Sequence, residues 1–306
     1  MRILVTGGAG FIGSQIADAY LARGDQVVVV DSLVNGRREF VSPQARFYES
    51  DIRDPALRDI FTRERPQVVN HHAAQASVSA SVADAPSDAD VNILGTLRIL
   101  DHCVATGVEH VVFASTGGAL YGEPELLHAD ESTPIRPLSP YGASKHAAEG
   151  YLALYGRLHR LRACALRYAN VYGPRQDPHG EAGVVAIFTS ALLEGKTPTI
   201  HGDGEQTRDF VYVDDVVRAN LLAADRRAEG AWNIGTGEAT SVNTLYAKLA
   251  AAVGTTARAV HGPPRAGDVR HITLDARGAR EHLGWTPQYT IDAGLSATVD
   301  WFRRHR

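Results

Sequence analysis

Short runs of apolar and β-branched residues recur along the first half of the chain: Ile3–Thr6, Val27–Asp31, Arg46–Tyr48, Val68–His71, Val111–Ser115 and Ala163–Arg167. Helically spaced segments of about ten or more residues separate most of them. Strand, turn and helix in repetition predict parallel strands joined by crossover helices, hence an open, doubly wound sheet covered on both faces. Ligands of such sheets bind beyond the carboxyl ends of the strands. Two helix starts are readable, Asp54-Pro55 and Ser139-Pro140, each an N-cap residue followed by proline in the first turn.

After about residue 170 the rhythm changes. A long polar loop, Asn170 to Gly180, leads into helices alternating with short strands such as Thr199–His201 and Trp232–Ile234. The expected architecture is α/β, with the parallel sheet in residues 1–169 and a smaller, mixed α/β substrate domain mainly in residues 170–306. Residues 210–234 are expected to return to the first domain as a helix and a final strand. No internal period is visible, which excludes a repeat solenoid.

Composition narrows the function classes. Hydrophobic residues make up 44% of the 306 and charged residues 22%, an ordinary globular balance that excludes disorder and coiled coil. A net charge of −4 gives no field for nucleic acid or anionic lipid, and neither partner is expected. The start of the chain carries no secretion signal pattern, and no apolar stretch approaches the roughly 18–20 residues that span a bilayer, so a cytoplasmic address is expected. Cys103 and Cys164 are expected to be buried, reduced thiols. His71 and His72 are adjacent in a strand, where neighbouring side chains take opposite faces, so no metal is expected.

Chemistry enters at Thr6-Gly7-Gly8-Ala9-Gly10-Phe11-Ile12-Gly13, between the first strand and the first helix. Glycines at 7, 10 and 13 allow a tight turn, close approach of backbone to a pyrophosphate, and close packing of helix on sheet, while the helix N-terminus offers free N–H groups to the anion. Asp31, 18 residues after Gly13, ends the second strand, where a carboxylate accepts from ribose hydroxyls and repels a 2′-phosphate. NAD is therefore favoured over NADP. Arg37 and Arg38 could read a phosphate or could be solvated. Asp51-Ile52, after the third strand, could hold an adenine, or Asp51 could simply cap a turn.

Tyr141-Gly142-Ala143-Ser144-Lys145 places a phenol and an ammonium on one helical face, with the tyrosine in the first turn after Ser139-Pro140. A phenol of pKa about 10 needs roughly 4 kcal/mol of help to act as a base near neutrality. One ammonium at ~4 Å supplies about that much at an effective dielectric of ~20. The chain contains only three lysines, Lys145, Lys196 and Lys248, among 31 basic residues, so a lysine here is informative: the planar fork of arginine does not replace a compact ammonium that must also reach ribose hydroxyls.

The glycine fingerprint, Tyr141-x-x-x-Lys145 and the length together resemble the extended short-chain dehydrogenase/reductase superfamily, and within it the UDP-glucose 4-epimerases, over essentially the whole chain. The resemblance implies a Rossmann-type domain holding NAD and a second domain gripping a UDP-sugar. It also implies a hydroxyl 25 places before the tyrosine, which selects Thr116, with Ser115 as a fallback. Where related 4,6-dehydratases carry an Asp-Glu pair after that hydroxyl, this chain has Gly117-Gly118, and glycines move no protons.

Carried over residue by residue, the catalytic group is Tyr141, Lys145 and Thr116. The cofactor residues are Gly7, Gly10, Phe11, Ile12, Gly13, Asp31, Asn35, Gly36, Asp51, Ile52, Ala73, Ala74, Gln75, Asn92 and Tyr168, together with the catalytic three. The substrate residues are Asn170, Val184, Arg208, Arg265 and Asp268, with Thr116 and Tyr141; arginine forks suit the diphosphate. The implied reaction oxidises C4 of the sugar and re-reduces it on the opposite face, recycling NAD. UDP-GlcNAc and UDP-glucuronate stay open as substrates, the position gating the C2 substituent aligning roughly with Ile272. A dehydratase and a catalytically silent NAD-binding regulator are the more distant alternatives. A homodimer is implied by analogy with relatives.

Overall fold

A computed structural model of the protein describes residues 1–124, 128–179, 183–264 and 269–305. Seven strands form one wholly parallel sheet. From one edge the order is Gly230–Ile234, Arg162–Tyr168, His110–Thr116, Val68–His71, Arg2–Thr6, Gln26–Asp31 and Arg46–Glu49. The chain thus starts in the interior of the sheet and winds outward in both directions, placing a topological switch beside the first strand.

Alternation along the strands feeds two cores. Ile3, Val5, Val27, Val29 and Val112 join one buried cluster, while Leu4, Val28, Val30, Val111 and Phe113 join the other. The first cluster is closed by helices Phe11–Ala22 and Val213–Arg226, through Ile16, Ala17, Ala219 and Ala223. The second is closed by Leu57–Glu64, Gly95–Thr106 and Pro140–His159 through Phe61, Leu100 and Leu152. Each fully buried aliphatic side chain contributes roughly 1.5–3 kcal/mol of transfer free energy. Helix Val213–Arg226 and strand Gly230–Ile234 therefore pack with the large sheet although they begin about 45 and 60 positions after its other strands end, while residues 210–212, expected to return with them, belong to a strand of the smaller sheet.

The remaining chain builds a smaller mixed sheet, in which Thr207–Tyr212 lies between an antiparallel Ala239–Ser241 and a parallel His271–Leu274, with His128–Ala129 beyond. The short strand Asn170–Tyr172 runs beside the second half of Thr207–Tyr212. A third core of Tyr172, Phe188, Tyr212, Leu249 and Val299 lies under helices Val184–Leu193, Val242–Val253 and Ile291–Arg304. No helix among the described residues is long and apolar enough to cross a membrane.

One expected helix start is displaced. Asp54 Oδ1 accepts from the Ala56 N–H at 2.8 Å, and its carbonyl accepts from Leu57. That closes a separate turn, so the helix begins at Leu57. Ser139 behaves as expected, its hydroxyl accepting from the Gly142 N–H at 3.2 Å with Pro140 in the first turn. A π-helical segment, Asp90–Leu94, has no signature in the sequence.

Candidate active site

At the carboxyl ends of the parallel strands opens a cleft of about 570 Å³, within the usual range for a small-molecule site. Its wall is made by Gly7, Gly10 and Phe11 from the first turn, Asp31, Asn35 and Gly36 after the second strand, Asp51 and Ile52 after the third, and Ala73, Ala74 and Gln75 after the fourth. Gly7 has φ +68°, and a Cβ there would lie 2.6 Å from the Ala73 amide nitrogen, so both conformation and crowding demand glycine. Gly13 lies behind the wall, where a Cβ would strike the Gly7 carbonyl. Gly10 caps the helix Phe11–Ala22 without a side-chain hydrogen bond, leaving first-turn N–H groups for an anion.

Asp31 is 8% exposed and ties the turn together: Oδ2 accepts from Ala9 N–H at 2.9 Å and Oδ1 from Leu33 N–H at 2.8 Å. Each oxygen keeps a lone pair for a further donor. Asp51 caps the turn at Arg53 and also holds that guanidinium, which keeps its carboxyl below the usual range. Arg37, left open by the sequence, and His72 are on the cleft wall, and sequence reasoning missed Phe40, Arg175 and Gln176 there. Arg37 and Arg175 both lie over the Phe40 ring, at 5.7 and 5.5 Å. Arg38 instead stacks on Phe47 at 4.5 Å. Two buried polar atoms of this wall, His72 Nδ1 and Gln176 Oε1, have no partner among the described residues. Free helix N–H groups, a glycine cradle, a strand-end carboxylate and unpaired polar atoms together fit a dinucleotide.

Two residues expected on the cofactor lie behind the wall instead. Asn92, 2% exposed, uses its amide on the Gln75 main chain and on Asp88. Tyr168, 6% exposed, shares its hydroxyl with His72 and Asn220. In both cases the polar atoms are bonded to neighbouring segments, and the two side chains support the wall from behind. His71 is bonded at both ring nitrogens by Thr6 and Thr96, separately from His72, and burial pushes both imidazoles down to about 3. Among the described residues no group of three metal-ligating side chains converges.

Tyr141 and Lys145 share the inner face of helix Pro140–His159. Lys145 is 3% exposed; its ammonium donates to the Ala114 carbonyl at 2.9 Å and lies 4.7 Å from the Phe113 ring centre and 6.0 Å from that of Tyr141. The electrostatic expectation from sequence is not met by these residues alone. Burial, followed by the charge of Asp88, pushes the Tyr141 phenol up to about 12, while burial brings the Lys145 ammonium down to about 8 against the opposing pull of Asp88 and Glu149. The ammonium is directed at a carbonyl rather than at the phenol oxygen, and desolvation of the phenolate outweighs its field.

Strand alternation sends the Ser115 and Thr116 side chains to opposite faces. Ser115, 3% exposed, donates to Glu149 at 2.6 Å, inside a buried network where Arg167 pairs with Glu149 at 2.7 Å and donates to the Tyr121 hydroxyl at 2.9 Å. Thr116 faces the other way: a Cβ built on Gly118 would lie 3.9 Å from the Thr116 hydroxyl and 3.6 Å from Asn170 Oδ1, so those two groups flank one small space. At Gly117 the corresponding position is filled by the Leu274 side chain, 2.8 Å from its Cδ2. A carboxylate has no room there.

Toward the smaller sheet, Asn170 is exposed and Val184 opens the helix Val184–Leu193, next to Gly183 on the cleft wall. Arg208 donates to the Thr207 carbonyl and pairs in register with Ile272, which is 2% exposed. Arg265 and Asp268 lie outside the described residues.

Comparison with known proteins agrees with this geometry. The profile of the NAD dependent epimerase/dehydratase family matches residues 3–235. The UDP-glucose 4-epimerase of Mycolicibacterium smegmatis is 47% identical, with 99% of each chain covered. The crystal structure of a UDP-glucose 4-epimerase from Thermotoga maritima with UDP-glucose has a TM-score of 0.97 at 49% identity, covering 100% of this chain and 99% of that one. A Thermus thermophilus UDP-glucose 4-epimerase in complex with NAD gives 0.94 at 48% identity, covering 99% of each chain.

Proposed function

The chain belongs to the NAD dependent epimerase/dehydratase family, and from that premise we propose that it is an NAD-dependent epimerase inverting C4 of a UDP-hexose, UDP-glucose to UDP-galactose and back. One observation carries the reading: Tyr141 and Lys145 stand on one helix face, the lysine bonded to the strand that ends at Thr116 and the helix tied through Ser144 and Asp88 to Gln75 on the cleft wall, with Leu274 packed at Gly117, one of the two positions where a dehydratase carries a carboxylate. Full-length relatives bearing that activity, and solved relatives holding NAD and UDP-glucose, support it.

Each residue then has a role. The parallel sheet, with residues 213–234 returning to it, serves the dinucleotide, and the rest of residues 170–306 serves the sugar nucleotide. Asp31 accepts from the adenosine ribose, and the turn at Gly7 and Gly10 receives the pyrophosphate. Oxidised nicotinamide, when bound, supplies a cationic ring and accepts and returns a hydride. Tyr141 takes the proton of the sugar 4-hydroxyl and returns it, and Thr116 hydrogen-bonds the 4-oxygen. Lys145 holds the nicotinamide ribose, and its ammonium together with the cationic ring of a bound nicotinamide would stabilise the Tyr141 phenolate that accepts this proton, against the burial that raises the phenol. Arg208 and Arg265 grip the diphosphate, with Asn170, Val184 and Asp268 around the remainder of the nucleotide sugar. Fixing the nucleotide leaves the 4-keto sugar free to turn over between the two hydride transfers.

Purified protein incubated with UDP-galactose is expected to form UDP-glucose, and a product-free incubation refutes the proposal. Parallel incubations with UDP-GlcNAc and UDP-glucuronate define tolerance at C2 and C6. A Tyr141→Phe variant is expected to retain NAD and lose turnover.

The proposal includes a homodimer. Helices Gly95–Thr106 and Pro140–His159 pack side by side and expose Val104 (38%), Tyr151 (36%) and Leu158 (65%), apolar side chains that a second copy would cover. Light scattering on a Leu158→Glu variant tests it. We also assign a cytoplasmic location, consistent with two free, buried cysteines, Cys103 and Cys164.

A further inference from the structure

The short helix Ala85–Ala89 carries a carboxylate that none of the roles above uses. Asp88 is 1% exposed, and its carboxylate caps no backbone of its own helix. Its Oδ2 accepts from the Ser144 hydroxyl at 2.5 Å, while its Oδ1 accepts from Gln75 Nε2 at 2.8 Å and from Asn92 Nδ2 at 3.0 Å. Those three donors come from three different segments. Ser144 sits between Tyr141 and Lys145, Gln75 is part of the cleft wall, and Asn92 lies in the π-helical turn Asp90–Leu94. Asn92 in turn brackets the Gln75 main chain, accepting from its N–H at 3.0 Å and donating to its carbonyl at 2.9 Å.

We propose that Asp88 is a positioning residue for the epimerisation, its buried carboxylate locking the Tyr141–Lys145 helix to the cofactor wall at Gln75. Among the described residues no guanidinium or ammonium touches it, so the charge is buried on neutral donors alone, a costly arrangement if the carboxylate served only as a tether. An amide could supply most of the same acceptors. The charge acts on its neighbours: it disfavours a phenolate at Tyr141 and favours the ammonium at Lys145. The other titratable groups facing this space are Glu149, which also favours the ammonium, and His71 and His72, whose imidazoles feel the lysine. Asp90, on the adjoining turn, is occupied by Arg53 at 2.7 Å. The widened π turn is what brings Asn92 onto Gln75, and such insertions recur at functional sites.

The inference rests on the proposed epimerase reading, and two variants separate its parts. Asp88→Asn removes the charge and keeps the shape; Ser144→Ala keeps the charge and cuts the tether. Asp88→Asn also gives up one acceptor, an amide having one oxygen where the carboxylate has two, and with the tether so weakened is expected to lower kcat roughly tenfold to a hundredfold, the scale of a misplaced catalytic group. It is also expected to move the whole pH–kcat profile toward acid, because both neighbouring titrations fall when the carboxylate charge is lost. Ser144→Ala is expected to lower kcat with the profile unmoved. A second readout needs no turnover: ultraviolet titration of the Tyr141 phenolate, as the difference from Tyr141→Phe, is expected to show ionisation at lower pH in Asp88→Asn. An unmoved titration and profile in Asp88→Asn, or full kcat in Ser144→Ala, overturns the proposal; the second result applies even if Asp88→Asn does not fold. A wild-type protein inactive on UDP-galactose would defeat the epimerase reading, and the phenolate titration would still decide the role of Asp88.

Discussion

Lys145→Met is expected to stabilise the fold while abolishing turnover. In the native protein the ammonium is 3% exposed, and burial brings it down from 10.5 to about 8. Keeping it charged in the fold at neutral pH therefore costs about 3 kcal/mol, a figure that already includes the favourable pull of Asp88 and Glu149. Methionine fills similar space without charge, but loses the bond to the Ala114 carbonyl, about 1 kcal/mol, and the contact of the cation with Phe113, roughly 0.5–1 kcal/mol. The expected net gain is about 1–2 kcal/mol, or about 2 °C in Tm for a chain of this length. The sign of the pH dependence follows from the depressed titration. Below pH 8 the lysine is protonated in both native and unfolded states and the whole penalty is present. As pH rises from about 8 toward the unfolded value near 10.4, the native state releases its proton first, so the wild type gains stability and the gap to the variant narrows. Urea unfolding of both proteins, stripped of dinucleotide and followed by tryptophan fluorescence at pH 7 and 9.5, reads that gap directly. A variant less stable than wild type at pH 7, or a gap that does not change with pH, refutes the reasoning.

Other substitutions test the remaining geometry. Gly117→Ala drives a Cβ into the Leu274 side chain and is expected to cost about 1–3 kcal/mol by calorimetry, whereas Gly118→Ala, with 3.6 Å of clearance, leaves Tm nearly unchanged. Glu149→Ala leaves the Arg167 guanidinium unpaired in a site where both side chains are under 10% exposed, and denaturant unfolding should show a loss of about 3–5 kcal/mol. Thr116→Val is expected to lower kcat about a hundredfold with stability kept, while Ser115→Ala keeps kcat and loses about 1 kcal/mol with its bond to Glu149; equal effects on kcat would erase the distinction drawn between the two hydroxyls.

The elements most legible in the sequence are those whose cause is local. The glycine turn announces itself because Gly7 needs a positive φ and the strand and helix around it are readable by period. Ser139-Pro140 marks its helix because cap and proline act within one turn, while Asp54-Pro55 misleads because the same residues also close a stand-alone turn. Asp31 is legible as a strand-end carboxylate, and the cleft wall after the second, third and fourth strands follows from the winding of the sheet. Phe40 and Arg175 are not, because one ends a short 3-10 segment and the other sits far along the chain in an irregular loop. Asn92 and Tyr168 stand near the cofactor wall with their polar atoms bonded to Gln75, Asp88, His72 and Asn220, partners that have no imprint in spacing.

By itself the sequence determined the order of strands and helices, the anion-binding turn, and the presence of a phenol and an ammonium one helical turn apart, because backbone conformation and side-chain period act over a few residues. Tertiary structure decided how those groups behave. Leu274, more than 150 positions along the chain, closes the space at Gly117. Glu149 takes the Ser115 hydroxyl into a buried network, on the strand face opposite to that of Thr116. Desolvation and the charge of Asp88 set the titration of Tyr141 against the expected direction. Burial and long-range fields depend on what the whole fold brings within a few ångströms, and that information belongs to no single stretch of chain.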